Sequence, residues 1–425
     1  MPDARSAAQV KGMPNLRIVS QSAPCQSTVR ELIEPHIRAV MGDIIAALTS
    51  PLTEEETTPK PPKNAGDQRQ IVFKGSLEEV NRFFYRRGWT DGLPIIPPTP
   101  KAVDEMLEGT DLPRDYVVGK LVSRFGKATV EKIAINAVMA GALPTYMPLL
   151  IAGVEAAADK TADMRWAAVG TGAHTPFWII NGPARNDLDV NNSSGYLSPG
   201  RIANAAIGRA MSFMMKNIGG NRPGIEDMGV HGNAGKYTMV VAENEEESPW
   251  EPLHVEHGFQ REDSTVTLFN PGCYAAFHSY DVTAKGILNS IIYNITAGRW
   301  GLTSIMLAPV DAKTLSKEGW TKKDIASFVS EYATGPAYKH PEYYSRRMAG
   351  PYPRMPMNPT DVVRTLYNPD WIRVIVAGGP GNYVGVHQGK GGNKCDFVTK
   401  KAVLPVQWDK LVKKYKSLVP MYFRY

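Results

Sequence analysis

From Trp178 onward, the sequence alternates between segments with the two-residue period of β-strands and segments with the longer period of α-helices. Such alternation is typical of α/β and mixed α+β proteins, because a helical crossover returns the chain beside its previous strand. We therefore predict a mixed sheet with flanking helices and substantial parallel pairing. No internal repeat is visible. The strand-like segments are FWIINGPA, YTMVVAEN, STVTLFN, LTSIMLAPV and WIRVIVAGGPG, and the helix-like ones are RIANAAIGRAMSFMMKNIGG, KKDIASFVSEYA and LPVQWDKLVKKYK.

The N-terminal part of the chain has a different pattern. NLRIVSQ is typical of a strand, and STVRELIEPHIRAVMGDIIAALTS of an amphipathic helix interrupted near Pro35, so residues 1–50 form a small predicted βα unit. One βα unit cannot bury both faces of its strand, and it must pack on the main body or on another chain. The charged, proline-rich residues 51–75 are a predicted linker arm. Residues 76–425 form the predicted main α/β body, either as one domain or as two subdomains.

Two segments near the start of the main body shape the fold. SLEEVNRFFYRRGW predicts a helix that begins with a Ser76/Glu79 capping box and ends at Gly88. The next stretch, GWTDGLPIIPPTP, is a stiff extended run because proline fixes its own φ and restricts the residue before it. It either braces a domain junction or holds side chains in a cleft.

Residues 133–154 carry no charge, but Pro144 and Pro148 favour two short buried helices over a membrane span.

Composition narrows the class of protein. Lys and Arg number 48 against 42 Asp and Glu, and the net charge of +6 is spread along the chain, which argues against nucleic-acid binding. Cys25, Cys273 and Cys395 include no CxxC pair and cannot form a disulfide framework. The N-terminal residues contain no apolar signal core. We therefore expect a cytoplasmic protein without a membrane segment.

The densest polar cluster lies in NEEESPWEPLHVEHGF. His254, Glu256 and His257 are candidate ligands of a divalent metal, because imidazole and carboxylate both suit such an ion. On a strand, His254 and Glu256 would share one face and His257 would point away, so a further ligand such as His278 or His231 would be needed. The alternative is a loop with ordinary surface histidines.

A candidate nucleophile lies in NPGCYAAFHSYD. Cys273 could be activated by His278 as base, with Asp281 as the orienting carboxylate. The alternative is a buried structural cysteine.

The long loop NGPARNDLDVNNSSGYLSPGRIANAAIGR, which begins at Asn181, offers a third site. Ser198 is a predicted cap of the following helix, whose N-terminus would favour an anionic ligand beside Arg201. The charges could instead form ordinary surface ion pairs. The further cations available to a bound carboxylate are Arg209, Arg222 and Lys236.

Several of these stretches together resemble the bacterial UGSC-type (seleno)protein family over most of residues 70–400. They are RRGWTDGLPIIPPTP, KATVEKIAINAVMAG, NGPARNDLDVNNSSG, RIANAAIGRA, NIGGNRPG, GKYTMVVAENEEESPWEPLHVEHGF and IRVIVAGGPG. In that family, a selenocysteine or cysteine stands in a CxxC-like redox motif, which this chain lacks. The resemblance therefore implies either that a separate, smaller chain carries the redox motif and docks on residues 1–50, or that redox chemistry has been lost. The orphan βα unit, whose AALTSPLTEEE ending resembles the tail of a preceding UGSC domain, favours the separate chain.

Our leading hypothesis is an oxidoreductase-like large subunit of a heteromeric enzyme that performs thiol-linked redox or carbon–heteroatom chemistry on a small anionic metabolite. In it, Trp89, Thr90 and Asp91 line the domain junction, with Asp91 as a candidate catalytic residue and Trp89, Thr90 and Asn181 as candidate substrate-binding residues. His254, Glu256 and His257 are candidate proton-transfer groups as well as candidate metal ligands. One alternative is a metal-dependent hydrolase or lyase that uses the histidine cluster. Another is a noncatalytic scaffold for a redox partner. In each case we expect an oligomer, and the sequence specifies no cofactor beyond a candidate divalent metal.

Overall fold

A computed structural model describes residues 12–21, 30–58, 70–295, 301–339, 358–366, 368–389 and 395–416, together with Ala4 and Ala8. The chain divides into two compact units. The first comprises Met1–Lys74 and Ser345–Pro353, and the second comprises Gly75–Tyr344 and Arg354–Tyr425. Of the predicted features, Cys25 and residues 59–69 of the linker arm lie outside the described residues.

The regular secondary structure described for the first unit is helical. Its helices are α1 Arg30–Ala39, α2 Met41–Thr49 and the one-turn α3 Glu54–Thr57. The predicted strand over residues 15–21 is wrong, because these residues form no sheet pairing. Arg17 instead bonds to the Glu56 carboxylate at 2.6 Å and to the Ser50 carbonyl at 2.8 Å. The predicted interruption at Pro35 is also displaced: Pro35 lies within α1, and the break falls at Val40.

The second unit begins with well-capped helices and a hairpin. Ser76 and Glu79 form the predicted capping box of α4 Leu77–Arg86, and Thr99 caps α5 Pro100–Leu107. A hairpin of β1 Val117–Leu121 and β2 Gly126–Thr129 follows. The predicted pair of buried helices is confirmed as α6 Val130–Ala140 and α7 Met147–Ala158, separated by a 3-10 turn at Pro144–Tyr146. None of the helices in the described part of the chain combines the length and apolar character needed to cross a bilayer.

The remaining elements confirm the predicted mixed α/β class. Further helices of the described residues are α8 Arg165–Ala168, α9 Ala184–Asp187, α10 Ile202–Asn217, α11 Leu253–Glu256, α12 Ala284–Asn294, α13 Pro309–Lys317, α14 Lys322–Tyr332 and α15 Trp408–Tyr415. The strands are β3 Phe177–Asn181, β4 Val240–Ala242, β5 Thr265–Phe269, β6 Pro271–His278, β7 Thr303–Leu307, β8 Thr334–Pro336, β9 Val362–Arg364, β10 Ile372–Val376, β11 Tyr383–Gly389 and β12 Val398–Lys401.

Two four-stranded sheets form the centre of the second unit. The first has the order β12-β5-β3-β4 and the second β10-β7-β11-β6. Side chains of β3 alternate between two environments: Trp178 and Ile180 pack on α6, α7 and α10, whereas Phe177 and Ile179 pack against Met306 and other residues of the second sheet. The outer face of the second sheet is covered by α12, α13 and α14. The unit is thus a four-layer sandwich of helices, sheet, sheet and helices.

The expectation of substantial parallel pairing is wrong, since only β3–β4 and β7–β10 are parallel among the described ladders.

The two sheets repeat one strand plan. Each has a central strand, β3 or β7, with a parallel neighbour reached through helices and an antiparallel neighbour that carries a fourth strand. The fourth strands are exchanged: β6 follows β5 but pairs with β11, and β12 follows β11 but pairs with β5.

The pairing registers of the two sheets also correspond. Ile180 aligns with Ala242 and Val266, as Leu307 aligns with Val376 and Val384. Val266 and Val384 then align with Lys400 and Phe277 on the exchanged strands. The structure therefore contains an internal topological repeat that is not visible in the sequence.

Candidate functional site

The stretch GWTDGLPIIPPTP is docked along one face of α10. Asp91 accepts two hydrogen bonds from Arg209, Nε to Oδ2 at 2.7 Å and Nη2 to Oδ1 at 2.9 Å, and Arg209 also donates to the Pro94 carbonyl. Near the end of the helix, Lys216 Nζ donates to the Thr90 carbonyl. Arg209 and Lys216 lie two helical turns apart on the same face of α10. The extended run is therefore bonded to this face of the helix at two points.

The neighbouring Trp89 fixes the start of this run. Its ring packs edge-on against Phe84, with ring centroids 5.4 Å apart, and its carbonyl accepts a hydrogen bond from Asn217 Nδ2 at 3.1 Å. Trp89 and Thr90 thus act through the backbone, and Asp91 acts through its carboxylate.

A cavity of about 310 Å³ lies beside the same part of α10. Its size is at the lower end of the range for small-molecule sites. One wall comes from α10, with Phe213 and Met215 as apolar members, and the opposite wall from residues 221–237. The ionisable side chains that line it are Asp91, Lys216, Asp227, Lys236 and Tyr237.

Ion pairs hold the second wall in place. Glu226 binds Arg222 through two hydrogen bonds at 2.9 and 2.7 Å and also accepts from Arg124 at 2.6 Å. Asp227 pairs with Lys236. The wall then passes close to the helix at Gly208, where any Cβ would lie 2.1 Å from Thr238 Oγ1.

Lys216 differs from the other cations of the site. No carboxylate of the described residues forms an ion pair with it, and burial lowers the pKa of its ammonium group while the nearby Asp91 opposes the shift. In contrast, the predicted anion-binding residues Arg209, Arg222 and Lys236 are each bound to a carboxylate. Lys216 was missed in the sequence analysis, although its helical spacing from Arg209 would have placed both on one face.

The predicted anion site at the start of α10 is not formed. Arg201 occupies the N-cap position without a side-chain cap, so Ser198 does not cap the helix. The Arg201 guanidinium pairs with Asp189. Arg201 is absent from the lining of the α10 cavity.

His254, Glu256 and His257 lie on or next to the one-turn helix α11, and they engage three different sets of partners. His254 is fully buried, with Nε2 3.3 Å from the Arg261 carbonyl, and Glu256 accepts from Lys322 at 3.0 Å. His257 Nδ1 lies 2.6 Å from Thr399 Oγ1. The shared strand face expected for His254 and Glu256 is wrong, because residues two apart in a helical turn point in different directions.

Nothing in this geometry assembles a metal site. Over the described residues, no group of three or more His, Cys, Asp or Glu side chains is placed to hold a metal ion. His257 Nε2 accepts a hydrogen bond from Arg373 at 3.2 Å. Burial and the Arg373 charge lower the pKa of His257 to about 4. His231 and His278, the suggested further ligands, therefore do not complete a set with these residues.

Asn181 belongs to the same buried polar region, where it contributes to structure. Its Nδ2 donates to Glu243 at 2.7 Å and to Glu245 at 3.1 Å. Lys322 approaches the other Glu243 oxygen at 3.4 Å, and Arg185 lies 3.1 Å from Glu245. Two buried carboxylates are thus compensated by two buried cations, as burial of charge requires.

Cys273 and His278 do not form a nucleophile and base pair. Both lie on β6, and five residues of strand separate them by roughly 16 Å and place them on opposite faces. Cys273 Sγ lies 3.7 Å from the Gln388 carbonyl, and His278 Nδ1 accepts from the Tyr280 amide at 2.8 Å. Asp281 instead accepts from the Thr283 amide within its own turn. Proximity in sequence therefore misled this prediction.

Comparison with known proteins identifies no relative: no family model, curated protein or solved structure matches the chain.

Proposed function

We propose that this chain is the large subunit of a cytoplasmic enzyme that binds a small anionic metabolite in the α10 cavity. The observation that carries the proposal is the Lys216 ammonium group, a cavity-lining cation for which the described residues supply no ion-paired carboxylate. A bound carboxylate would form an ion pair with this ammonium group. Because the site partly excludes water, such an ion pair is stronger there than on the protein surface.

The charge balance of the cavity supports the same ligand class. The lining itself carries two carboxylates, Asp91 and Asp227, and two ammonium groups, Lys216 and Lys236. Because Arg209 binds Asp91 and Lys236 binds Asp227, Lys216 is the cation left without an ion-paired carboxylate. Asn221 also lines the cavity, and its Oδ1 accepts from the Ser123 amide, which leaves Nδ2 as a donor toward a ligand. The volume suits a compact metabolite of a few carbon atoms.

The geometry favours this function over the two alternatives. A noncatalytic scaffold has no need for a cavity with convergent ionisable groups. A metal-dependent hydrolase or lyase needs ligands that converge, whereas His254, Glu256 and His257 have separate partners. A thiol for redox chemistry would come from a partner chain, because His278, the predicted base, is separated from Cys273 along β6 and lies on the opposite face of the strand.

The binding experiment is isothermal titration calorimetry with acetate, pyruvate and succinate, with acetamide as the neutral comparison. We expect at least one carboxylate to bind, and Lys216→Gln to weaken it by about tenfold or more, since hydrogen bonds to charged groups contribute ~1.5–3 kcal/mol. The matched control is Lys410→Gln, which changes an exposed lysine of α15 and should leave affinity unchanged. Carboxylate binding that is equal in Lys216→Gln and wild type would refute the proposal.

A second candidate function is the docking of a smaller redox chain on the first unit. Helices α1 and α2 contain no buried residue, and Leu32, Ile45 and Leu48 are 63%, 53% and 79% exposed. Apolar side chains on neighbouring helices usually need a partner to cover them. The proposed occupant is the small CxxC chain that the family resemblance implies.

Native mass spectrometry of the untagged protein from its source cells tests this docking. We expect a complex with a small CxxC-containing chain, lost in Leu48→Asp and kept in Leu93→Asp, which alters an exposed leucine of the second unit. A stable assembly of this chain alone, unchanged by Leu48→Asp, would argue against the partner.

A further inference from the structure

We propose that Lys216 is a catalytic nucleophile that forms an imine with the carbonyl carbon of a small 2-oxo acid in the α10 cavity. This inference rests on the proposed function, because it assigns a substrate class and a reaction step to the same site. It goes further in treating the Lys216 nitrogen as a reacting atom.

The position of the nitrogen supports this role. Lys216 Nζ donates one hydrogen bond to the carbonyl of Thr90, a residue that is only 4% exposed. A neutral amine that donates one N–H in this way keeps its lone pair available for attack. Because the Thr90 carbonyl belongs to the run that Arg209 and Asp91 fix, the amine is held at a defined place in the cavity wall.

Burial of Lys216 favours the neutral amine that such an attack requires. Burial disfavours the ammonium form. Asp91 is the carboxylate that opposes this effect, but its two oxygens are bound by Arg209. Asp227 on the opposite wall is likewise engaged by Lys236. A lysine amine that is desolvated in this way is a usual form of amine nucleophile in enzymes.

The step is balanced without an oxidant or reductant. The neutral amine adds to the carbonyl carbon, and a proton passes from nitrogen to the new hydroxyl group. A second proton lets that hydroxyl leave as water and gives a protonated imine. In total, a lysine ammonium and a ketone yield an iminium and one water molecule.

The iminium nitrogen carries a positive charge. This charge explains why a 2-oxo acid is the substrate that suits the site best. Its carboxylate is attached to the carbon that becomes the imine carbon, so it remains beside the positive charge after the bond forms. Asn221 is a second polar group of the cavity lining, and its backbone amide donates to the Met215 carbonyl next to Lys216. A ketone without a carboxylate would lack this pairing.

Reductive trapping tests the inference. The full-length protein is incubated with pyruvate and cyanoborohydride, and adducts are located by peptide mass spectrometry. We expect a stable secondary amine at Lys216, at least about tenfold above the level at other lysines. Lys216→Arg keeps a positive charge but cannot form the imine, so it should lose the adduct at this position. Lys410→Arg should trap pyruvate at Lys216 as the wild type does.

Calorimetry on the same samples separates the two proposals. Pyruvate that binds in a Lys216-dependent manner but leaves no adduct there would overturn the imine and keep the anion site. If pyruvate and the other carboxylates neither bind nor become trapped, both proposals fail. Adducts spread evenly over surface lysines would also contradict a dedicated nucleophile.

Discussion

Arg209 and Asp91 form a two-point ion pair, with nitrogen–oxygen distances of 2.7 and 2.9 Å, that joins the middle of α10 to the extended run 88–100. Their side chains are only 20% and 12% exposed. This pair explains why a Trp, an Asp and four prolines are concentrated in one short stretch. The run is a rigid brace that presents the Thr90 carbonyl to Lys216 beside the cavity.

We expect Asp91→Ala to lower the free energy of unfolding by about 2 kcal/mol, because the largely buried Arg209 guanidinium loses both carboxylate acceptors and keeps only the Pro94 carbonyl. Urea unfolding measures the change. Glu78→Ala is the control, since it breaks an ion pair with Arg82 whose members are 72% and 68% exposed, and it should cost less than about 0.5 kcal/mol. Equal losses in the two variants would rule out the bracing role.

A second prediction concerns the close approach of α10 and the cavity wall at Gly208. A Cβ at this position would lie 2.1 Å from Thr238 Oγ1 and 2.9 Å from Thr238 Cα, so backbone must move. Gly208→Ala should therefore destabilise the protein by about 1–3 kcal/mol and weaken carboxylate binding. Gly42→Ala, in the exposed helix α2 with nothing within 4 Å, should be neutral or stabilising by up to about 1 kcal/mol. Normal stability and binding in Gly208→Ala would contradict the packing described.

His387 predicts a pH dependence of stability. Its ring is buried between Phe177 and Tyr274, with centroid distances of 4.5 and 4.7 Å, and burial lowers its pKa to about 3. The unfolded chain, with a His pKa near 6.5, binds a proton that the folded protein excludes, so stability is lost as pH falls below roughly 6.5.

At about pH 5, this histidine alone should reduce the free energy of unfolding by ~2 kcal/mol relative to about pH 7.5. The test compares urea unfolding of wild type and His387→Gln at the two pH values. The stability advantage of the wild type should shrink by about this amount at the lower pH. A difference between the proteins that stays constant with pH would show that His387 is not buried in its neutral form.

Local sequence signals predicted the elements of the second unit well. The Ser76/Glu79 capping box and the prolines between α6 and α7 act through neighbouring residues, so their effect can be inferred without the fold. The strand over residues 15–21 failed for the opposite reason. A strand needs a hydrogen-bonded neighbour, and apolar alternation alone does not supply one.

The site depended on contacts that sequence order does not reveal. Asp91, predicted to line the domain junction, and Lys236, predicted as a cation for a bound carboxylate, both line the α10 cavity, but each is bound there by a partner, Arg209 or Asp227, that the sequence did not indicate. Cys273 and His278 illustrate the reverse, because residues close in sequence were separated by strand geometry. The topological repeat is not visible in the sequence because corresponding positions share at most apolar character, as Ile180 and Leu307 do, and Lys400 and Phe277 do not share even that.

The most direct measurement of the central claim is trace acetylation of Lys216 as a function of pH, with Lys410 as an internal reference. We expect Lys216 to titrate below the ordinary lysine pKa of about 10.4 and a saturating carboxylate to slow its acetylation. Titration of Lys216 at the same pH as Lys410, with no protection by acetate, pyruvate or succinate, would contradict it.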